Sequence, residues 1–456
     1  MKTLPLAKNQ DIELFIEDLG AEGQGVGRYQ GYAVFIPGAL QGEQVRVRII
    51  KAGKAYGVGK LLEAVSPSEH RTAPACDVFG RCGGCTLMHL SYDRQLVYKQ
   101  NRIKQALIRI GKLDEIEVLP TLGMEHPWRY RNKAAFCAGQ GDRGSAALGL
   151  YAARSHRVVP VGDCMIEQES CAQGLGAVLA WMREYGVSYY DETTRKGLLR
   201  HVIVRTSSLG EVMVILCTNG AKLPGQEPLV RRLRDAVQGL RSIAQCVNAR
   251  KTNVIMDGPV RIIWGADAIR EQILGLTLAL SPRAFFQVNP SQAAKLYAHA
   301  ISLACIKESD LVLDAYCGIG AIGLLAAKQG ARVVGVEIVE EAVRDARINA
   351  ELNRLKNIRF ICAKAEEEIP GMLERGEQPD VVILDPPRKG CDAALLQAIA
   401  DADIGRIVYI SCNPATFARD LAILADRGYT PGPVQPVDMF PHTAHVECAI
   451  GLRRKD

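Results

Sequence analysis

Residues 311–323 read LVLDAYCGIGAIG, an apolar run, Leu311–Asp314, that passes into a turn with glycines at 318, 320 and 323. Glycines between a strand and a helix let backbone N–H groups approach a ligand at the helix N-terminus. The next apolar run, Val333–Val336, ends in Glu337, about 20 residues on, where a carboxylate can accept both hydroxyls of an adenosine ribose. Working outward, apolar strands recur at 311–314, 333–337, 358–362, 381–385 and 406–411, with helical stretches between them. From about residue 285 this alternation predicts an α/β Rossmann-like domain built on a parallel sheet. Gly318 and Glu337 fit a bound nicotinamide dinucleotide or S-adenosylmethionine, and a tight turn followed by a solvated acid would give the same pattern.

Ligands of open α/β sheets lie beyond the carboxyl ends of the strands. One strand ends in Asp385-Pro386-Pro387-Arg388-Lys389-Gly390 and the next in Ser411-Cys412-Asn413-Pro414, so Asp385 and Cys412 are expected to face one crevice. The segment 438–447, DMFPHTAHVE, sets Glu447 beside the final strand, with His442 and His445 either orienting that acid or only packing. These residue types match a particular chemistry. C5 of uracil is a poor nucleophile. A thiolate adding at C6 makes C5 enolate-like, and a base must then remove the C5 proton so that the thiol can leave. Cys412 as nucleophile, Glu447 as base and Asp385 as the group holding the uracil edge supply that set. A lone buried cysteine is usually inert packing, but a strand end before Asn-Pro is a placement for chemistry.

The N-terminal 66 residues carry a different rhythm. Ile12, Leu14 and Ile16 alternate with polar positions, as do Val45, Val47 and Ile49, and Tyr32–Ile36 and Gly57–Leu62 add two more short strands. Period-two patterning with glycine-rich turns predicts a small β-barrel of the OB-like kind. Arg46, Arg48 and Lys60 would give it a basic face for RNA, or are ordinary outward strand charges. Residues 71–92 read as loop, and 93–112 as a basic amphipathic helix. A mostly β region follows from about 125 to 280, with a helix near 174–185. Within it HPWRYRNKAAF (126–136) interleaves aromatics with Arg131 and Lys133, a mixture suited to stacking on bases and pairing with phosphates, and equally to a strand with exposed basic residues.

DAYCGIGAIG, DPPRKG, SCNP and DMFPHTAHVE together resemble the signature segments of the RNA uracil-5-methyltransferase family, and the likeness extends over essentially the whole chain. The resemblance implies three domains: a TRAM-type RNA-binding barrel at 1–66, a cluster-binding central domain at 67–280, and an S-adenosylmethionine-dependent methyltransferase domain at 281–456. It implies Cys412 as nucleophile, Glu447 as proton acceptor, and Asp385 on both cofactor and target base. It adds Gln287 and Tyr316 to Glu337 as cofactor contacts and sets Phe285 against a base flipped out of the RNA. Ala321 stands where some relatives have Asn, and the stretch 362–366 offers no clear acid for the adenine.

The chain holds 14 cysteines. Cys76, Cys82 and Cys85 have the spacing C-x5-C-x2-C around Gly80, Gly83 and Gly84, and Cys164 is the best fourth thiolate, with Cys171 next. Four thiolates suit a 4Fe–4S cluster or structural zinc, and the resemblance favours the cluster. The uracil chemistry needs no redox step, so the cluster would be structural or aid RNA binding. Its spacing also differs from that of radical S-adenosylmethionine enzymes, which argues against a radical methylthiotransferase. An inactive RNA-binding module would not need Cys412, Asp385 and Glu447, and a cytosine-5 methyltransferase fits the Asp-Pro-Pro segment less well. Net charge is +6, which permits a nucleic-acid partner without requiring one. No apolar run is long enough to span a membrane and no secretory leader is evident, so a cytoplasmic monomer is expected. The barrel and cluster together favour 23S ribosomal RNA as substrate, with transfer RNA the alternative.

Overall fold

The computed structural model describes residues 4–141 and 144–455. Strands Asp11–Leu19, Gly25–Tyr29, Tyr32–Ile36, Gly57–Ser66 and Gln44–Ala52 follow one another in that order around a closed barrel. The alternating apolar residues fill it: Ile16, Val34, Ile36, Val45, Val47 and Ile49 are fully buried. Gly27 has to be glycine, because a Cβ there would lie 2.2 Å from Leu14 and 2.5 Å from the Phe15 carbonyl oxygen. The expected basic face is largely neutralised. Arg48 is paired with Asp11 at 2.7 Å and Arg46 with Glu63 at 2.7 Å, across neighbouring strands. Buried Glu43 accepts from Arg71 at 2.6 and 2.8 Å, which ties the start of the cysteine-bearing loop to the barrel.

The central region forms a seven-stranded sheet, ordered Val260–Gly265, Leu240–Val247, Val212–Thr218, Leu199–Thr206, Lys133–Gln140, Ala146–Tyr151 and Val158–Pro160. Helices Glu169–Glu184 and Gln226–Ala236 cover one face through Val178, Trp181, Leu229 and Leu233. The second of these helices falls in the stretch that the sequence reads as mostly strands. The other face presents Ile203, Met213, Ile215 and Ala244 to the catalytic domain. The hairpin Ile269–Ile273/Leu276–Leu280 joins that same core, so the central sheet and the catalytic domain share one continuous apolar interface.

The C-terminal sheet runs Ile358–Cys362, Arg332–Glu337, Leu311–Ala315, Val381–Leu384, Arg406–Ser411, Glu447–Arg454 and Tyr429–Pro431. The first five strands are parallel, as their apolar runs predict. Strand Glu447–Arg454 is antiparallel to Arg406–Ser411, so the sheet is mixed rather than purely parallel. This reversal is what brings the start of the last strand, at Glu447, to the same edge as the ends of the parallel ones. Helices Pro290–Ala304, Ala321–Lys328 and Glu340–Leu352 pack on one face. Ala365–Glu374, Ala393–Asp401 and Pro414–Asp426 pack on the other.

Helix Tyr92–Ala106, which ends in a wider π turn at Leu107–Gly111, lies far upstream in sequence yet docks on this second face. Ile103 and Leu107 insert among the residues of that layer, with Ile103 fully buried. Among the described residues no helix is long and apolar enough to cross a membrane. Removing the Ile103 side chain beyond Cβ should cost about 2–5 kcal/mol, the usual cost of a cavity at a well-packed aliphatic site. Denaturant unfolding of Ile103→Ala in the full chain checks this, and a loss near zero would mean that the helix is not docked.

Candidate active site

The carboxyl ends of the parallel strands open into a cavity of 640 Å³. Its wall includes Gln287, Tyr316, Gly318, Glu337, Asp385, Cys412 and Glu447, together with Phe285 at the rim. Residues far apart in sequence thus meet because four strand ends and the start of a fifth strand share one edge. Gly318 and Gly320 adopt positive φ of 54° and 84°. A Cβ on Gly320 would also lie 2.9 Å from Phe360, so this turn can be tight only with glycine. Glu337 accepts from Gly318 N–H at 3.0 Å and Val339 N–H at 2.9 Å, which fixes its carboxylate over the glycine turn.

Cys412 closes its strand, and the helix that follows begins at once. Asn413 caps it by accepting from Ala415 N–H at 3.1 Å, and Pro414 occupies its first turn. The thiol is therefore held half-buried at a rigid strand–helix junction. Glu447 is buried and Asp385 half-buried. Burial, then the neighbouring Asp385, pushes the Glu447 carboxyl up to about 8, against the opposing pull of Arg388. Burial alone raises Asp385 to about 6. Burial, followed by Glu447 and Asp385, raises the Cys412 thiol, again against Arg388. The site thus concentrates acidic groups around one guanidinium, an arrangement that favours a cationic ligand.

Three wall residues had no assigned role in the sequence. Asp314 accepts from Gly323 N–H at 2.7 Å, while its other oxygen is buried without a partner, and burial lifts it to about 7. It ends the strand quoted first, so its position was readable though its use was not. Tyr297 lines the cavity from helix Pro290–Ala304, where nothing but three-dimensional packing marks it. Arg388 stood in DPPRKG without a purpose and is the counter-charge to Cys412 and Glu447.

The two histidines part company. His445 lines the cavity, edge-on to Phe440 with ring centroids 5.9 Å apart, and burial lowers it to about 4, so it is neutral. His442 lies away from the cavity, stacked on Trp128 at 4.1 Å with Nε2 3.0 Å from the Pro127 carbonyl oxygen. It packs, and does not orient Glu447. Lys364 pairs with Glu367 at the surface, and Glu366 accepts from Tyr316 at 3.1 Å.

A second cavity, of 480 Å³, is lined by Cys76, Cys82, Cys85 and Cys164, with Arg131, Lys133 and Phe285 on its wall. Arg131 lies 3.8 Å from buried Glu167, and burial lowers Lys133 to about 8. These two cations therefore line the cysteine cavity and do not form a free basic surface. Cys171 is buried in the core of the central domain instead. Burial, then Cys164, Cys82 and Cys76, raises Cys85 to about 12, as expected of thiols crowded together. Among the described residues no group of three or more His, Cys, Asp or Glu side chains is placed to hold a metal ion. Phe285, 65% exposed, lines both cavities, as does the buried Phe286 beside it.

Comparison with known proteins accords with this geometry. The TRAM domain matches residues 5–62, and the family described as tRNA (uracil-5-)-methyltransferase matches residues 261–455. An RNA methyltransferase of Halalkalibacterium halodurans is 45% identical over 453 residues, 99% of each chain. One of Clostridium tetani is 43% identical over 98% of this chain and 97% of its own. The solved tRNA (uracil-54, C5)-methyltransferase of Pyrococcus abyssi, in complex with S-adenosyl-L-homocysteine, is 29% identical, with a TM-score of 0.79 over 96% of this chain and 99% of that one. Fold and site together define an RNA methyltransferase. More narrowly, the chain belongs to the RNA (uracil-5-)-methyltransferase family, which removes the dinucleotide reading of the glycine turn.

Arg388 holds the Cys412 thiol below the value that burial and the two carboxylates would otherwise impose. Arg388→Gln should therefore move the pH at which Cys412 is alkylated by iodoacetamide upward, measured by peptide mass spectrometry. An unchanged midpoint would remove Arg388 as the counter-charge.

Proposed function

We propose that this enzyme methylates C5 of uracil in 23S ribosomal RNA through a covalent adduct between Cys412 and C6. The observation that carries the reading is the convergence of Cys412, Glu447 and Asp385 on the cavity that Gly318 and Ile319 of the glycine turn also line. The Cys412 thiolate adds to C6, and the displaced electron pair makes C5 nucleophilic. S-adenosylmethionine supplies the electrophilic methyl group. Glu447 then takes the C5 proton, the C5–C6 double bond re-forms, and the thiolate leaves. Asp385 is suited to hold a uracil N–H or a cofactor group, and Phe285 at the exposed rim is suited to stack on the extruded base.

The cavity fits the proposed cofactor on its own terms. Glu337 stands over a glycine turn at a strand end, where a ribose would be bound. Asp314 has one buried oxygen without a partner. Asp314, Asp385 and Glu447 are all raised by burial, and a sulfonium cation would relieve that desolvated negative charge. Gln287 and Tyr316 also line this cavity.

For the second cavity the reading is a 4Fe–4S cluster on Cys76, Cys82, Cys85 and Cys164. All four line that one cavity; four thiolates suit a polynuclear cluster or zinc, and the resemblance to cluster-bearing relatives favours the cluster. The 23S assignment rests on the pairing of the barrel with this cysteine-lined domain. A uridine of transfer RNA is the second reading, favoured by the likeness to the P. abyssi enzyme.

Labelled S-adenosylmethionine with 23S and transfer RNA lacking the modification, followed by nucleoside digestion, tests the reaction and its target. Label as 5-methyluridine in 23S RNA is expected. Label in transfer RNA alone moves the substrate, and none in either overturns the reading. Cys412→Ala should abolish turnover and adduct. Glu447→Gln should form the methylated adduct but release it at least about 100-fold more slowly, within the range for a lost general base. Release at the unaltered rate would remove Glu447 from that role.

Iron and sulfide analysis of anaerobically purified protein should find both, and Cys85→Ser should lose them. Zinc without iron would overturn the cluster.

A further inference from the structure

The loop that leads into Glu447 is held from outside the catalytic domain. Residues 438–446 contribute Phe440 and His445 to the active-site wall. Their backbone has little regular structure of its own, and His442 adopts a positive φ of 65°, a strained conformation for a residue with a side chain. Four residues of helix Tyr92–Ala106 grip this loop. Tyr92 donates to Asp438 at 2.7 Å, and Gln95 accepts from His442 N–H at 2.9 Å. Lys99 donates to the Asp438 carboxylate and, at 2.9 Å, to the Phe440 carbonyl. Arg102 donates to the Ala444 carbonyl. Positions 92, 95, 99 and 102 fall on one helical face. The stretch beside Cys85 joins the clamp, since Thr86 and Leu87 N–H both bond the His442 carbonyl, at 3.0 and 2.9 Å.

Lys99 and Asp438 are both fully buried. A buried cation on a helix from one part of the chain, spent on a loop of another, suits a geometric task better than simple stability, because such pairs gain little over apolar packing. We infer that Lys99 and Arg102 are positioning residues for Glu447, fixing the loop 438–446 so that the carboxylate meets the C5 proton. The inference rests on the proposed role of Glu447. Its consequence is selective: proton removal should suffer while addition of Cys412, carried on a different strand, should not.

The test is single-turnover kinetics on the full-length protein, with adduct formation and adduct release followed separately. Arg102→Ala should slow release about 10- to 100-fold, the scale of a catalytic group displaced by a fraction of its reach. Adduct formation, RNA affinity and thermal midpoint should stay unchanged, as should all rates in Lys104→Ala on the exposed side of the helix. Lys99→Met alone strands a buried carboxylate and should destabilise the fold. The double variant Lys99→Met/Asp438→Asn removes that charge, and should recover stability while release stays slow, because the bond to the Phe440 carbonyl is still missing. Hydrogen exchange at 440–446 should quicken in Arg102→Ala and in the double variant. Release at the unaltered rate, or formation and release slowed equally with a lower thermal midpoint, would overturn the inference. If the unaltered enzyme forms no adduct, the covalent reading fails instead, and unchanged exchange at 440–446 would then overturn the positioning role by itself.

Discussion

The Lys99–Asp438 ion pair sets the relation between the parts of this molecule. Both side chains are fully withdrawn from solvent, and they come from segments 339 residues apart. Leaving either charge unpartnered would cost several kcal/mol, so the helix and the loop must meet in one register. Tyr92 and the Phe440 carbonyl take up further donor and acceptor capacity, which makes the pair part of a satisfied network. Through it the segment that follows the cysteine loop becomes a structural member of the catalytic domain, while the barrel is held to the start of that loop by Arg71 and Glu43.

The active-site cavity is built on desolvation. Asp314, Asp385 and Glu447 are carboxyls that burial makes reluctant to ionise, with Arg388 opposing the effect at Glu447. Such a site stores a preference for positive charge, and its acid–base behaviour depends on what fills it. The strand–helix junction after Ser411 and the antiparallel last strand supply the geometry. One ends at Cys412 and the other begins at Glu447, so a thiol and a carboxyl face one space while attached to rigid elements.

The central domain serves two neighbours at once. One face of its sheet shares an apolar core with the catalytic domain, and its edge, with the cysteine loop, encloses the second cavity. Phe285 stands where the two cavities approach each other, on the short connection between the hairpin Ile269–Leu280 and helix Pro290–Ala304. Arg131 and Lys133 follow from the same packing. Lys133 opens a strand interior to the sheet and Arg131 lies just before it, and both line the cysteine cavity, with Arg131 beside Glu167.

Much was legible from the chain alone because it depended on local rules. Alternation in residues 11–16 and 45–49 foretold the barrel, apolar runs between helical stretches foretold the parallel strands, and the residues after each run named Gly318, Glu337, Asp385 and Cys412. These are consequences of strand period, turn chemistry and the habit of open sheets to bind at their carboxyl ends. What tertiary structure alone decided was pairing over distance. It turned the last strand antiparallel, neutralised Arg46 and Arg48 across strands, sent His442 to Trp128 and His445 to the cavity, and recruited Tyr297, Asp314 and Arg388 to the wall. The identity of a charge is written in the sequence. Its partner, its burial and therefore its ionisation are set only when remote segments close around it.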